Sequence, residues 1–247
     1  MALEGASAGQ VRVVALTQEH RGHGVSTMAY YLGRALVAQG LRVLLVDLTD
    51  RRGRAAGLVA RDPVKNLVPW RPPVPHARDV PRLLDQARRE TAGKADVILL
   101  DVDAAVLQCA GGFSLGLDYL VLVAEAVESG LRAADRLAER LGQEGASARM
   151  GVVFSRVEGS TAAELPLKSE HRGLPVLGQY PADYLLAGGD AYAPRGHAPV
   201  MPHESYRSAM VRLGQRLAQL VPLVRGPSLV GMERHLPPHE MDGQALA

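Results

Sequence analysis

The sequence holds one cysteine, Cys109, so it can form no internal disulfide and supplies no thiolate set for zinc or for an iron–sulfur cluster held by a single chain. Aromatic residues are scarce at 4%, with two phenylalanines and one tryptophan, and the core must therefore come from aliphatic side chains. No apolar run approaches the roughly 20 residues of a membrane-spanning helix. Residues 1–10 lack the basic start and apolar middle of a signal peptide and read as a loose arm. Together these absences predict a cytoplasmic protein. The net charge of +2 is too small to argue by itself for nucleic acid. No internal repeat or low-complexity block is present.

What is present is a chain of 247 residues in which short β-branched runs alternate with helix-forming segments, enough for one large α/β domain. The organising stretch is residues 11–47. Residues 11–16 are a buried parallel strand by composition, and residues 28–39 a helix of good formers stopped by Gly40. Residues 41–47 form a second apolar strand ending in Asp47. Ligands of open α/β sheets sit at such carboxyl ends. The glycine-containing loop 17–27 leads straight into the helix, whose free N–H groups and positive dipole end suit a phosphate.

Further strands are expected at 96–101, 117–124, 149–155 and 174–183. Helices are expected at 80–90, with Leu83, Leu84 and Ala87 inward, at 129–141, and at 204–221. Six prolines between Pro63 and Pro81 forbid a long helix there, so residues 51–81 read as irregular, with Trp70 either a docking aromatic or a loop anchor. Arg51, Arg52, Arg54 and Arg61 read as a solvated basic group. The segment beyond Pro222 has loop composition, giving an organisation of arm 1–10, domain 11–222 and tail 223–247.

The loop after the first strand reads His20-Arg21-Gly22-His23-Gly24-Val25-Ser26-Thr27. It resembles the deviant Walker A loop of the ParA/MinD ATPases, whose pattern is Lys-Gly-Gly-Val-Gly-Lys-Thr-Thr. Gly22, Gly24, Ser26 and Thr27 match. The resemblance covers about residues 11–222 in order and implies a doubly wound, mostly parallel sheet flanked by helices, the P-loop NTPase fold. It also implies ATP or ADP with magnesium as cofactor, held by residues 20–27 with Ser26, Asp47 and Asp101 toward the metal. Asp101 ends the strand that resembles the family's Walker B segment.

The departures fall on functional positions. His20 stands where the family has its signature lysine, Val25 where it has the P-loop lysine, and Arg21 where it has a glycine. A lost charge-assisted hydrogen bond is worth roughly 1.5–3 kcal/mol, or about tenfold to over a hundredfold in affinity. The second acid of the family's Asp-x-Asp is Thr49, with Asp50 one residue late and retained as the candidate for placing the attacking water. Where the family's adenine-recognising asparagine falls, this chain has Ser155-Arg156, and the strand ending at Pro181 resembles the one whose loop closes over the base. Cys109-Ala-Gly-Gly-Phe113 echoes the cluster-ligating cysteine of nitrogenase iron-protein relatives. With no second cysteine it reads as a small buried residue or an incidental thiol.

Two functions follow from the resemblance. One is a pseudo-ATPase, a scaffold or localisation factor for a bacterial secretion, polysaccharide, pilus or positioning machine, with an unidentified protein partner. The other is a slow ATP-dependent dimerisation switch using Arg21, His20 and Asp50. The helix at 204–221 reads first as packing on the domain; a homodimer, a membrane-surface role for this helix, and contact of its Arg207, Arg212 and Arg216 with nucleic acid are the remaining partner readings. A metal site at His20 and His23 has no further placed ligands.

Overall fold

The computed structural model describes residues 11–19, 24–49, 54–72, 77–109, 116–143, 149–157, 170–181 and 204–221. Its strands are β1 (Arg12–Thr17), β2 (Val43–Leu48), β3 (Leu67–Trp70), β4 (Val97–Val102), β5 (Tyr119–Glu125), β6 (Arg149–Val157), β7 (Glu170–His171) and β8 (Leu174–Pro181). Its helices are α1 (Val25–Ala38), α2 (Arg54–Arg61), α3 (Val80–Thr91), α4 (Ala104–Cys109), α5 (Glu128–Gln143) and α6 (Glu204–Leu220). The strands lie in the order β3-β2-β4-β1-β5-β6-β8-β7. All pairings are parallel except the short β7–β8 hairpin. This is the doubly wound sheet expected of alternating apolar strands and helices.

Alternation along each strand divides the core in two. Val13, Ala15, Leu44, Ile98 and Leu120 face one side, where Leu84 of α3 and Leu137 and Leu141 of α5 cover them. Val14, Leu16, Leu45, Leu99 and Val121 face the other, under α1, α2 and α6. Burying each such side chain is worth roughly 1.5–3 kcal/mol before chain entropy is counted. The C-terminal helix packs on this second side through Met210, Leu213 and Leu217. Its Gly214 permits the approach to α1, since a Cβ there would lie 2.6 Å from Gln39 Nε2.

The stop after α1 is the one its glycine predicts. Gly40 has φ 86°, its N–H donates to Val37 O, and Leu41 N–H donates to Leu36 O, the paired bonds of a Schellman motif. The irregular reading of residues 51–81 is corrected. It holds α2, which ends before Pro63, and β3, where Pro69 is tolerated because β3 is an edge strand. Trp70 is buried in the α3-side core, so it is the anchor and not a docking aromatic. The helix α4 and strand β7 were likewise not expected. Cys109 ends α4 and is exposed, which overturns its reading as buried.

Two ion-pair clamps secure the amino-end edge of the sheet. Asp96 accepts from Arg42 N (2.8 Å), Nε (3.0 Å) and Nη2 (2.5 Å), with both residues buried. Asp118 accepts from Arg12 Nη1 (2.8 Å) and from Val13 N (2.7 Å). At the far end of the sheet, Arg172 (φ 47°) and Gly173 (φ 83°) turn β7 into β8. Asp135 of α5 holds that turn by accepting from His171 Nε2 (2.7 Å) and Arg172 Nε (3.1 Å).

Candidate functional site at the carboxyl-end edge

The opposite edge holds the described residues of the predicted site. β1 ends at Thr17, and α1 opens after Gly24, whose φ of 86° is left-handed. A Cβ at Gly24 would meet nothing within 4 Å, so glycine is needed there for backbone conformation and not for space. The first helical bond runs from Met28 N to Gly24 O at 2.8 Å. The N–H groups of Val25, Ser26 and Thr27 therefore precede the hydrogen-bonded ladder, and the N-cap glycine brings no side-chain cap. Such a helix start favours an anion.

Ser26 and Thr27 are half-buried there, whereas the Val25 side chain is turned into the core at 3% exposure. Val25 thus offers a ligand its backbone only. No ammonium stands at the first residue of the helix, and the pocket that receives the side chain is apolar, with Val14, Leu16 and Met28 in the same cluster.

Asp47 and Asp101 come together by register. Asp47 pairs with Asp101 across β2 and β4, and Asp101 pairs with Leu16 across β4 and β1, so both carboxylates rise on the α1 side of the sheet. Both are buried, at 0% and 1% exposure. Asp47 has structural work. Its Oδ1 accepts from Thr49 Oγ1 (2.6 Å) and Thr49 N (3.2 Å), and its Oδ2 accepts from Ala56 N (3.3 Å) in the first turn of α2. With three donors on its two oxygens, Asp47 ties β2 to α2 rather than presenting an open carboxylate. Thr49, which stands in the second-acid position, is spent on the same knot. For magnesium, the donors that fit are Asp101 and the half-buried Ser26; among the described residues no cluster of three His, Cys, Asp or Glu side chains is close enough to hold a metal.

Ser155 is placed at the end of β6, but it faces its neighbours. It is 5% exposed, its Oγ donates to Ala124 O (3.3 Å) and its O accepts from Ala126 N (3.1 Å), so it stitches β6 to β5. Pro181 closes β8, in register with Val157. His20, Arg21, Gly22, His23 and Asp50 lie outside the described residues.

The edge also holds residues that sequence reasoning missed. Glu19, just past β1, accepts from Arg140 Nη2 (2.7 Å), Arg136 Nη2 (2.9 Å) and Arg136 Nε (3.3 Å) of α5. The i,i+4 spacing of the arginines was a visible signal that they share a helix side; nothing local named a partner more than a hundred positions away. Behind β5, Gly130 in the first turn of α5 lies so near the strand that a Cβ would stand 2.3 Å from Glu125 O. On α1 itself, Tyr30 Oη donates to Asp62 Oδ2 (2.9 Å) and accepts from Arg34 Nη1 (2.9 Å), while Arg34 also pairs with Asp62. Burial, more than these partners, pushes the Tyr30 hydroxyl up to about 12.

This mostly parallel sheet flanked by helices has clear structural relatives. The fold is similar to that of a MinC:MinD cell division protein complex from Aquifex aeolicus, at 20% identity over 88% of this chain and 100% of that one, with a TM-score of 0.65. It is similar to the septum site-determining protein MinD complexed with Mg-ADP from Pyrococcus horikoshii, at 18% identity over 85% and 97%, with a TM-score of 0.66. A ParA family ATPase from Chlorobium tepidum matches at 18% identity over 83% and 98%, with a TM-score of 0.62. The chain has the fold of the MinD and ParA ATPases. No family model and no curated protein sequence matches it. No helix among the described residues is long and apolar enough to cross a membrane.

Proposed function

We propose that this chain is a ParA/MinD-like protein with a degenerate nucleotide site, acting as a non-hydrolysing scaffold or localisation factor for a larger bacterial machine. The observation that carries the reading is Val25, whose side chain is buried at 3% exposure at the opening residue of α1, where phosphoryl transfer would need a cation. The engagement of Asp47 by Thr49 and Ala56 supports it, because it occupies an acid that the sequence resemblance assigns to magnesium. The inward Ser155 supports it as well. MinD is found in complex with MinC in one relative of the fold, and a protein partner is the analogous role here.

A second reading, an ATP-dependent dimerisation switch, draws on Gly24, the uncapped start of α1 and the buried Asp101 at the end of β4. Calorimetry with Mg-ATP and Mg-ADP, run beside light scattering, separates the two. The scaffold reading expects no heat up to millimolar nucleotide and an unchanged mass. Micromolar binding with an ATP-dependent rise in mass would overturn it. Val25→Lys sharpens the test: a folded variant that gains ATP binding more than about tenfold would identify an intact cradle lacking only its charge.

A further inference from the structure

We propose that the outward face of α6, centred on Val211 and bordered by Arg207 and Arg212, docks a segment of another protein that carries carboxylates around an apolar side chain. The inference deepens the scaffold reading and rests on it for the partner's being a protein.

The face is what the core leaves over. Tyr206, Ala209, Met210, Leu213, Gly214 and Leu217 are buried, so one side of the helix is committed to the sheet and α1. Helical spacing puts two adjacent rows on the other side, Arg207-Val211-Gln215 and Ser208-Arg212-Arg216, with successive members one turn apart. All of these residues are exposed. Val211 is 39% exposed, and it and Val127 are the exposed large hydrophobic residues among those described.

The arginines are not balanced locally. Glu204, in the first turn, is the only acid of the helix, and α1 and β8, which pack against it, contain no Asp or Glu. Among the described residues no carboxylate pairs with Arg207, Arg212 or Arg216. Arg212 acts electrostatically on the Tyr180 hydroxyl, a neutral group that leaves its charge uncompensated. An anionic occupant follows from this surplus, and the exposed valine selects its kind. A bilayer takes up an amphipathic helix by its apolar side, and that side of α6 is buried in the core. A phosphate backbone would use the arginines and leave Val211 unmatched. A second copy of the same face would set like charges against each other. An apolar centre ringed by arginine and polar groups is instead the composition of a protein interface, and guanidiniums take carboxylates in paired hydrogen bonds.

The test is fluorescence anisotropy of the full chain with labelled peptides. A peptide of Leu-Glu-Glu repeats is expected to bind, more weakly as salt is raised. Peptides of Leu-Gln-Gln and of Ser-Glu-Glu repeats, which lack the charge or the apolar group, should bind about tenfold less tightly. Replacing Arg207, Arg212 and Arg216 together by Gln should cost the first peptide about tenfold as well, and Val211→Ser about threefold. These side chains are exposed, so an unchanged Tm is expected to accompany each loss. Equal affinity for the three peptides, equal affinity in the triple variant, or no binding of any peptide overturns the proposal. Tighter binding of duplex DNA or of phosphatidylserine vesicles, lost in the triple variant, overturns it too and marks the face as a polyanion site. An ATP-dependent rise in mass would sink the scaffold reading by itself. A failed peptide titration in a chain that binds no nucleotide would sink this inference alone.

Discussion

Asp96 and Asp47 sit at opposite edges of the same sheet, each buried and each accepting three hydrogen bonds. At the amino-end edge the three described donors of Asp96 belong to Arg42, two of them to its guanidinium. At the carboxyl-end edge the donors of Asp47 are the neutral hydroxyl and amide of Thr49 and the amide of Ala56. One edge neutralises its acid with a cation of its own and is thereby finished as structure. The other, among the described residues, satisfies its acid with neutral donors, beside a second buried carboxylate. The number of bonds does not distinguish a clamp from a site; the charge of the donors does.

Breaking the clamp should have the largest effect. Arg42→Ala strands the Asp96 carboxylate at an almost closed position, and loss of one partner of a buried pair costs about 3–5 kcal/mol. Urea unfolding should show the midpoint falling accordingly; a loss under ~1 kcal/mol would mean that the edge is held by its backbone pairing instead. The carboxyl-end edge should be more sensitive to backbone crowding than to charge. Gly130→Ala puts a methyl 2.3 Å from Glu125 O, and overpacking of this kind costs about 1–3 kcal/mol. The same unfolding curves measure it, and a neutral result would show that α5 can slide away from β5.

Asp47→Asn gives the sharpest contrast with Arg42→Ala. The amide keeps an oxygen for Thr49 and removes a negative charge next to Asp101, but its NH2 faces the Ala56 N–H, so stability should fall by about 1–2 kcal/mol, less than for Arg42→Ala. A loss as large as that of Arg42→Ala would erase the difference between the two edges. The smallest effect is expected on the flank of α1. Tyr30 is held neutral in the fold, raised to about 12 by burial from an ordinary value of 10.0. Its contribution is fully present below pH 10 and is lost as the pH climbs toward 12, because the unfolded chain ionises first. Tyrosinate absorbance followed against pH should show a late-titrating group near pH 12 that Tyr30→Phe removes, leaving the still later Tyr180, which burial also pushes up. Ionisation near pH 10 would place the Tyr30 hydroxyl in water.

Six of the eight strands were legible because each is largely a buried apolar run, and Gly40 marked the end of α1 by its chemistry alone. The carboxyl-end placement of Asp47 and Asp101 was legible for the same reason, since both terminate such runs. The helix α2 was missed because prolines on its C-terminal side were counted against the whole region, although the eight residues before them carry no breaker except Gly57. β3 was missed because its proline is acceptable only at an edge, and edge position is a property of the sheet and not of the four residues. At the site, the sequence named the position of Val25 but not the direction of its side chain. It gave no sign that Thr49 and Ala56 would take up Asp47, or that Glu19 would meet α5. These are long-range or tertiary facts, set by how helices settle on the sheet.

The two ends of the sheet carry one more consequence. One outermost strand, β3, has four residues and a proline, and the other, β7, has two residues beside a tight turn. Neither offers a row of free amides and carbonyls long enough to template a strand from another molecule. Continuation of the sheet from copy to copy is thereby discouraged, as is fibre-like growth. Among the described residues, association with another molecule is thereby directed to helices and connections, surfaces whose complementarity can be gained or lost without disturbing the sheet.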